Sequence, residues 1–268
     1  MVLVTGASAG IGRACADLLH AGGWTVVGAS RRGTSSGGWE GLVMDVDADE
    51  SVRAGVDGVL ARHGRIDAVV ASAGWGVAGA VEHTTVDEAK AQLETNFWGV
   101  TRVVQAVLPA MRAQGGGRLV LISSIGGIVA IPFQAFYSAS KFALEGMAEA
   151  LAYEVAPFAV AVSLVEPGNV RTDFTANRRM AGASGDGASG DDAYGEALAR
   201  AIGVMERDEA DGVAPEVVAR SVRAVLGARN PPRRVSVGRA GERIGILAKR
   251  LLPFRLFESA AKGSLGVG

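Results

Sequence analysis

The sequence predicts an α/β protein with a doubly wound parallel sheet of about seven strands, helices on both faces, and a single domain. Short β-rich runs alternate with helical patterns along most of the 268 residues. The β-rich runs are continuously apolar rather than alternating, which is typical of strands that are covered on both faces. No tandem repeat and no proline-rich linker divides the chain.

Apolar, β-branched runs predict the strands, and a 3.6-residue period predicts the helices. The predicted strands cover residues 2–5, 25–29, 42–44, 68–71, 119–123, 160–165 and 235–237. The predicted helices cover residues 11–20, 50–62, 86–112, 138–155 and 216–226, with a weaker helical pattern over 194–206. Right-handed crossovers bring the carboxyl ends of all these strands to one edge of the sheet, where ligands bind.

Composition excludes several classes of protein. Hydrophobic residues make up 49% of the chain and charged residues 21%, which excludes intrinsic disorder. The net charge of −1 leaves no basic footprint for nucleic acid and no general attraction to a membrane. A single cysteine, Cys15, excludes an internal disulfide and a cysteine-based zinc site, and suits the reducing cytoplasm. We expect no metal.

Two stretches superficially resemble membrane or targeting segments. The start of the chain lacks a basic region and its apolar run breaks at Gly6, so we do not expect a signal peptide. Residues 119–140 carry no charge, but their Ser, Gly, Pro and Gln residues would leave polar groups unsatisfied in lipid. We interpret residues 119–140 as a buried strand followed by a loop.

A glycine-rich turn, TGASAGIG at residues 5–12, lies between the first strand and the first helix. Glycines allow a tight turn and close backbone approach, and the free N–H groups of the helix favour a phosphate. This placement predicts a dinucleotide site. The residues assigned to the loop are Gly6, Ser8, Ala9, Gly10, Ile11 and Gly12.

The same turn also spells G-x-S-x-G, the pattern of a hydrolase nucleophile elbow, with Ser8 as the nucleophile. Such hydrolases have several strands before the elbow and a histidine late in the chain. Here the turn follows the first strand, and the histidines are His20, His63 and His83. The sequence therefore favours a dinucleotide loop.

The second strand ends in Ser30-Arg31-Arg32, where an NAD-binding protein normally has an acidic residue for the ribose 2′-hydroxyl. Guanidinium groups suit a 2′-phosphate, because they form charge-assisted, bidentate hydrogen bonds. The segment predicts NADP(H) over NAD(H). The alternative is that the two arginines only end a solvent-facing loop.

Tyr137 and Lys141 lie four residues apart, on one face of a predicted helix. A nearby ammonium lowers the pKa of a phenol from about 10 and makes it a better acid or base near neutral pH. Upstream, Ser124 follows the strand 119–123 and places a hydroxyl donor at the same sheet edge. Without these neighbours, the Tyr–Lys pair could be an amphipathic helix start with no chemistry.

Together these residues resemble the short-chain dehydrogenase/reductases over roughly residues 1–240. That resemblance implies a Rossmann-like fold. The matching motifs, in order, are Thr5-Gly6-x-x-x-Gly10-x-Gly12, Asp45-Val46, Ala71-Ser72-Ala73-Gly74, Asn96, Ser124, Tyr137-x-x-x-Lys141 and Pro167-Gly168.

The resemblance implies roles for four catalytic residues. Tyr137 would protonate the carbonyl oxygen in reduction or act as base in oxidation, and Ser124 would hydrogen-bond that oxygen. Lys141 would bind the nicotinamide ribose and lower the pKa of Tyr137. Asn96 would hold a water of a proton relay, although a buried asparagine at a helix kink fits the same position.

The resemblance also implies the remaining cofactor contacts. Asp45 and Val46 would meet the adenine, and Ala73 and Gly74 would line the cofactor. In the segment 167–172, the Val170 backbone and the Thr172 hydroxyl would meet the carboxamide and the pyrophosphate. Further cofactor residues are Ser30, Arg31, Arg32, Pro167 and Gly168. Ala71-Ser72 replaces the usual Asn-Asn, which predicts lower local rigidity.

The residues placed to line the substrate pocket are mainly apolar and aromatic: Trp75, Ile125, Phe133, Phe136, Asn169 and Phe174. A hydrophobic ketone or secondary alcohol is therefore expected. Fragments at residues 95–99 and 165–168 are similar to hydroxysteroid- and retinol-dehydrogenase-like members, and an antibiotic-pathway ketone fits equally well.

We expect a catalytic domain over residues 1–240 and a C-terminal tail over 241–268. A mobile lid is expected at 175–212, because its stretch 181–192 is rich in Gly, Ser and Asp. Residues 244–257 predict an amphipathic helix that covers the pocket or an interface, and we do not expect it to lie on a membrane. By analogy with the family, helices 86–112 and 138–155 would form a homodimer or homotetramer.

Three functions stay open at this point. The first is an NADP(H)-dependent carbonyl reductase or alcohol dehydrogenase (EC 1.1.1.-). The second is an NADP(H)-binding regulator without turnover, against which the intact catalytic residues argue. The third is a nucleotide-sugar epimerase or dehydratase, which typically has T-G-x-x-G-x-x-G spacing and a larger C-terminal domain.

Overall fold

The structure is a computed structural model that describes residues 1–35, 37–182 and 193–264. Within these residues, a seven-stranded, fully parallel sheet has the order β3-β2-β1-β4-β6-β7-β9, and β5 pairs with β8 outside it. The strands are β1 Val2–Thr5, β2 Val26–Ser30, β3 Glu40–Val43, β4 Ala68–Ala71, β5 Val77–Ala78, β6 Gly117–Ile122, β7 Val160–Pro167, β8 Arg179–Met180 and β9 Arg234–Val237.

Helices cover both faces of the sheet. Helices α1 and α7 pack on one face, and α2, α4 and α5 pack on the other. The helices are α1 Gly10–Ala21, α2 Asp49–His63, α3 Val86–Leu93, α4 Val100–Ala113, α5 Ala135–Glu154, α6 Gly195–Ala210, α7 Pro215–Gly227, α8 Ala240–Leu251 and α9 Phe254–Ser264. This arrangement confirms the predicted Rossmann-like fold class.

Strand β1 shows why the predicted strands read as continuous apolar runs. Val2 and Val4 belong to the core beneath α1 and α7, whereas Leu3 belongs to the core beneath α2, α4 and α5. Both sets of side chains are buried, so the strand has no polar face.

The order of the strands reverses at β1, which lies between β2 and β4. Connections leave β1 and β4 in opposite directions along the sheet. A crevice therefore opens outside the carboxyl ends of these strands, and in such folds this crevice holds the ligand.

The predicted helix 86–112 is three pieces in the structure. Helix α3 begins at a capping box of Thr85 and Glu88, and a π-helical turn, Glu94–Gly99, joins it to α4. A π turn adds one residue to the hydrogen-bonded ring, and its buried positions, Asn96 and Gly99, still lie three residues apart as in an ordinary helix, so the sequence pattern does not reveal it.

Two further predicted helices have different boundaries in the structure. Helix α5 begins at Ala135, three residues before the predicted start, so Tyr137 lies in its first turn. The predicted helix over 244–257 is divided between α8 and α9, because Pro253 cannot donate the backbone hydrogen bond that a continuous helix needs. Of the predicted mobile stretch 181–192, residues 183–192 lie outside the described residues.

Cys15 lies on α1 in the core, and burial raises the pKa of its thiol to about 12. Within the described ranges, no helix is long and apolar enough to cross a membrane.

Substitution of Gly28 in β2 tests how tightly the sheet packs beneath Trp39. A Cβ on Gly28 would lie 2.2 Å from Cζ3 of Trp39, which is buried and donates its indole N–H to Asp17 at 2.8 Å. Because the ring is held in place, Gly28→Ala is expected to lower the free energy of unfolding by about 1–3 kcal/mol. Urea denaturation at equilibrium measures this change.

The control for Gly28 is Gly58→Ala in α2, where an added Cβ meets only the end of the Arg62 side chain at 3.3 Å. This change is expected to raise the free energy of unfolding by about 0.5–1 kcal/mol, because alanine favours a helix. Equal stabilities for Gly28→Ala and Gly58→Ala would contradict the packing argument.

Candidate active site

Two cavities in the described part of the chain join into one cleft at the carboxyl edge of the sheet. The larger, of about 610 Å³, follows the glycine loop and the end of β2, and the smaller, of about 220 Å³, contains Tyr137 and Lys141. Both are lined by Ala9, Gly74, Trp75 and Asn177, so they lie side by side. The cleft lies at the switch point of the sheet.

The glycine loop forms the floor of this cleft. Gly6 and Gly10 have φ angles of +68° and +55°, which residues with a Cβ rarely adopt. A Cβ on Gly6 would lie 2.9 Å from the backbone of Ala73, and one on Gly12 would lie 2.4 Å from the Gly6 carbonyl oxygen. Helix α1 has no side-chain cap at Ala9, so its first N–H groups are available to a phosphate.

The segment after β4 is held by hydrogen bonds that the sequence analysis missed. Thr5 Oγ1 accepts from the backbone N–H groups of Ser72 at 3.1 Å and Ala73 at 3.3 Å. These bonds tie the ends of β1 and β4 together. The effect of Ala71-Ser72 on local rigidity stays a prediction.

The end of β2 supplies positive charge to the larger cavity. Ser30, Arg31 and Arg32 line it together with Asp45 and Val46, as the sequence predicts. Ser30 is buried, whereas both arginine side chains are exposed at the mouth. Guanidinium groups in this position fit an anionic substituent on an adenosine ribose.

Asp47 and Thr95 are further residues of this cavity that the sequence analysis missed. The Thr95 hydroxyl donates to Asp47 Oδ2 at 2.9 Å. Burial raises the pKa of the Asp47 carboxyl above its ordinary value, and Arg31 acts in the opposite direction. The larger cavity therefore contains both acidic and basic groups.

Tyr137, Lys141 and Ser124 meet on the wall of the smaller cavity. Tyr137 and Lys141 lie one turn apart on α5, and both are buried. Ser124 follows β6, where its Oγ accepts from the Gly126 N–H at 3.0 Å and lies close enough to the Tyr137 phenol to lower its pKa. The structure thus brings together three of the four residues predicted to be catalytic.

Burial controls the protonation of this pair. It raises the pKa of Tyr137 above its ordinary value, and the hydrogen bond with Ser124 opposes the increase without cancelling it. Burial also lowers the pKa of Lys141 to about 8, with the Glu145 carboxylate acting in the opposite direction.

Burial, Ser124, Glu209 and Arg178 shift the pKa of Tyr137 in this arrangement, and the expectation that Lys141 lowers it stays a prediction. The Lys141 ammonium lies 5.9 Å from the centre of the Tyr137 ring and donates to the Ile122 carbonyl oxygen at 2.9 Å. The phenol is therefore protonated at neutral pH.

Asn96, the fourth predicted residue, lies fully buried in the π-helical turn. Its amide nitrogen donates to the Trp75 carbonyl oxygen at 3.0 Å and to Ser140 Oγ at 3.2 Å, and its amide oxygen accepts from the Trp75 N–H at 3.1 Å. Asn96 thus fixes the backbone after β4 against α5. It also lines the smaller cavity, so a role in a proton relay stays a prediction.

The cleft fits a dinucleotide on three grounds. The loop around Gly6 leaves no room for side chains, and the start of α1 offers uncapped N–H groups. The segment predicted to meet the cofactor lines the smaller cavity, through Pro167, Gly168, Val170 and Thr172.

The predicted substrate residues are only partly brought together. The smaller cavity is lined by Trp75, Ile125, Asn169 and Phe174. The rings of Phe174 and Tyr137 pack edge to face, with their centres 5.6 Å apart. Phe133 and Phe136 line neither cavity. In the first turn of α5, the side chains of Phe136 and Tyr137 point about 100° apart, and Tyr137 is the one that faces the cavity.

A buried ion pair in the smaller cavity was missed by sequence reasoning. Glu209 of α6 lines this cavity and pairs with Arg178, and it also accepts a hydrogen bond from the Thr175 hydroxyl. Arg178 Nε is buried without a hydrogen-bond partner among the residues described. The pocket therefore has charged and polar groups beside its apolar wall, and no local sequence signal links residues 31 positions apart.

Comparison with known proteins identifies the family. The model of the short chain dehydrogenase family matches residues 1–182. The chain belongs to this family. It is therefore an oxidoreductase, and its family binds nicotinamide cofactors and acts on small-molecule carbonyl or alcohol substrates. This confirms the predicted family and excludes the hydrolase interpretation of Ser8.

The chain is similar to several individual members. It is 38% identical to a 3-ketodihydrosphingosine reductase of Bacteroides thetaiotaomicron, over 98% of this chain and 96% of that protein. It is 30% identical to dehydrogenase/reductase SDR family member 7B of Xenopus tropicalis, over 85% and 74%. A short-chain dehydrogenase structure from Streptomyces avermitilis has 34% identity and a TM-score of 0.81, covering 98% and 97% of the two chains.

Lys141→Met is expected to stabilise the protein at neutral pH. At pH 7 the lysine is charged in the folded and unfolded chains, but only the folded chain buries the charge. The pKa of Lys141 is about 8 in the folded protein and ordinarily 10.5, so unfolding takes up a proton at pH values between the two. The free energy of unfolding of the wild type therefore rises with pH in this range. The variant should be more stable by about 1–3 kcal/mol at pH 7, with a smaller advantage at pH 9.5.

Urea denaturation at both pH values measures this difference. Lys90→Met, which changes an exposed lysine of α3, serves as the control and should show no pH-dependent difference. A constant difference between Lys141→Met and the wild type across this range would show that the buried charge is not its cause.

Proposed function

We propose that the protein is an NADP(H)-dependent carbonyl reductase or alcohol dehydrogenase that interconverts a hydrophobic ketone and its secondary alcohol. The observation that carries this proposal is the meeting of Ser124, Tyr137 and Lys141 in a cavity that adjoins the glycine-loop cavity. The similarity to a reductase of a 3-keto compound over nearly the whole chain supports it.

In this proposal Tyr137 acts as the general acid for ketone reduction. When bound, the nicotinamide cofactor supplies a hydride for the carbonyl carbon. Tyr137 donates its phenolic proton to the carbonyl oxygen, and Ser124 donates a hydrogen bond to the same oxygen as it gains negative charge. A raised phenol pKa keeps this proton in place at neutral pH, which favours reduction. In alcohol oxidation, Tyr137 accepts the proton instead.

Lys141 and Asn96 would support the proton transfer by Tyr137 from the part of the cleft that holds the cofactor. Lys141 would hold the ribose hydroxyls of the nicotinamide and return a proton to Tyr137, for which a pKa of about 8 is suitable. Asn96 would keep the segment around Trp75 against α5, and would hold the water through which Lys141 exchanges its proton with solvent.

The cofactor preference rests on Arg31 and Arg32 at the mouth of the larger cavity. Two exposed guanidinium groups favour the additional phosphate of NADP(H) through charge-assisted hydrogen bonds. Asp45, Asp47 and the glycine loop would hold the rest of the adenosine and the pyrophosphate, so NAD(H) would bind more weakly.

The mixed polarity of the smaller cavity defines the substrate class further. Trp75, Ile125 and Phe174 offer an apolar wall, whereas Gln134 and Glu209 offer polar atoms near Tyr137. This suits a ketone that has a large apolar part and a polar substituent close to the carbonyl. The compound 3-ketodihydrosphingosine, named for a relative, is therefore the first substrate to test.

We further propose that the catalytic domain covers residues 1–240, and that residues 175–212 act as a lid over the smaller cavity. Asn177 lines this cavity from the start of the segment and Glu209 from its end. Homodimer or homotetramer formation through α4 and α5 remains a prediction.

Tyr137→Phe and Ser124→Ala test the mechanism. Both variants should reduce kcat for ketone reduction by at least ~100-fold, because the proton donor or the oxygen ligand is lost. NADPH affinity, followed by cofactor fluorescence, should stay within about twofold of the wild type. The assay is the loss of NADPH absorbance with 3-ketodihydrosphingosine and with steroid, retinal, aryl and polyketide-like carbonyls.

Tyr153→Phe, at an exposed position of α5, is the matched control and should keep full activity. Undiminished turnover in Tyr137→Phe would disprove the assigned role of Tyr137. A wild-type protein that binds NADPH tightly and reduces none of these carbonyls would instead be the regulator without turnover.

The double change Arg31→Ala and Arg32→Ala tests the cofactor preference. We expect it to raise the KM for NADPH by about 10–100-fold, since two charge-assisted contacts are lost, and to leave the KM for NADH nearly unchanged. Arg53→Ala, on the exposed surface of α2, is the control. Steady-state kinetics with both cofactors would contradict the assignment if the wild type preferred NADH.

A further inference from the structure

Helix α8 presents an apolar stripe to solvent. Ile244, Leu247 and Leu251 are 65%, 55% and 72% exposed, and their spacing places them on one face of the helix. The stripe continues past the helix end with Leu252 and Leu256, which are 43% and 60% exposed. An exposed apolar strip of this length indicates a binding surface rather than scattered surface residues.

Basic side chains accompany this stripe. Residues 240–264 contain five basic residues and two acidic ones, in a chain whose net charge is −1, so positive charge is concentrated in this segment. Glu242 is engaged in helix capping, and Glu258 is paired with Lys262. The basic residues are Arg243, Lys249, Arg250, Arg255 and Lys262.

We propose that α8 and the segment after it bind the surface of an anionic lipid bilayer. The apolar stripe would enter the boundary between headgroups and acyl chains, while Arg243 and Arg250 would meet the lipid phosphates beside it. This reverses the expectation from the sequence that the tail does not lie on a membrane. The reversal comes from the exposure of the stripe, which a tail that covers the pocket would have buried.

Charge argues for lipid over a second copy of this chain. A symmetric dimer through α8 would place the same cationic segment of two chains side by side, and like charges across an interface are unfavourable. Anionic headgroups neutralise these charges instead.

The proposed lipid-binding surface is firmly attached to the protein beside the substrate cavity. Ile246, on the opposite side of α8, is buried. The Glu242 carboxylate accepts from the backbone N–H of Asn169, a residue of the smaller cavity, at 2.8 Å. Lys249 donates to the Ile128 carbonyl oxygen. A ketone that partitions into a bilayer would thus be brought close to the cavity, a consequence that rests on the proposed function, whereas lipid binding itself does not.

Vesicle flotation with the full chain tests the proposal. The protein should bind vesicles that contain phosphatidylglycerol and should bind pure phosphatidylcholine weakly. The double change Arg243→Gln and Arg250→Gln should weaken binding by about 25-fold, at roughly fivefold for each cation. The triple change Ile244→Gln, Leu247→Gln and Leu251→Gln should abolish binding. About 1 M salt should weaken wild-type binding, since it screens the charges.

The control changes three exposed valines elsewhere on the surface, Val43→Gln, Val81→Gln and Val86→Gln, and should bind as the wild type does. Thermal unfolding and NADPH binding establish that each variant is folded. Failure of the wild type to bind phosphatidylglycerol vesicles overturns the proposal, as does equal binding by the triple variant. A third outcome is that the wild type does not bind vesicles and the triple change lowers the molecular mass measured by sedimentation. This outcome would show that a second copy of the chain covers the stripe.

Discussion

The close approach of two backbone segments, at the ends of β1 and β4, is the constraint on which the cleft depends. Gly6 touches the backbone of Ala73, and Thr5 accepts hydrogen bonds from the segment that follows β4. This contact lies at the switch point of the sheet and brings the glycine loop beside Gly74 and Trp75. A side chain at Gly6 would separate the two segments, and the two cavities that share this wall would no longer be aligned.

The site is built at the expense of local stability. Lys141 is a buried cation whose main partner is a carbonyl oxygen, Ser123 is a buried hydroxyl without a partner in the described structure, and Arg178 is only partly satisfied. Buried polar groups of this kind weaken a fold unless a ligand completes their hydrogen bonds. Their concentration around the smaller cavity agrees with a surface shaped for binding and chemistry rather than for packing.

The sequence predicted the fold class, the seven main strands and the cofactor loop, because each follows from a local pattern. An apolar run such as residues 68–71, or a glycine turn followed by a helix, carries its own signal. A helix kink at Asn96 was an open alternative, but its π-helical form could not be predicted, since the buried positions Asn96 and Gly99 keep the spacing of an ordinary helix. Phe136 lies in the first turn of α5 and does not line the cavity, and helix starts are among the least certain features of a sequence.

The parts of the site that escaped prediction depend on distant partners. Glu209 of α6 pairs with Arg178, which lies 31 positions earlier in the chain, and Thr5 meets Ser72 across the sheet. The effect of burial, which raises the pKa of Tyr137, was not anticipated for a similar reason. Proximity to Lys141 is visible in the sequence, whereas the degree of burial is a property of the whole fold.

The position of Cys15 makes the protein a convenient framework for site-specific labelling. Its thiol is the single one in the chain, and burial on α1 raises its pKa to about 12, so almost no thiolate is present at neutral pH. Maleimide and iodoacetamide reagents would therefore leave the folded protein unmodified. A cysteine introduced at an exposed site such as Trp98 would carry a fluorophore or spin label without first removing a native thiol.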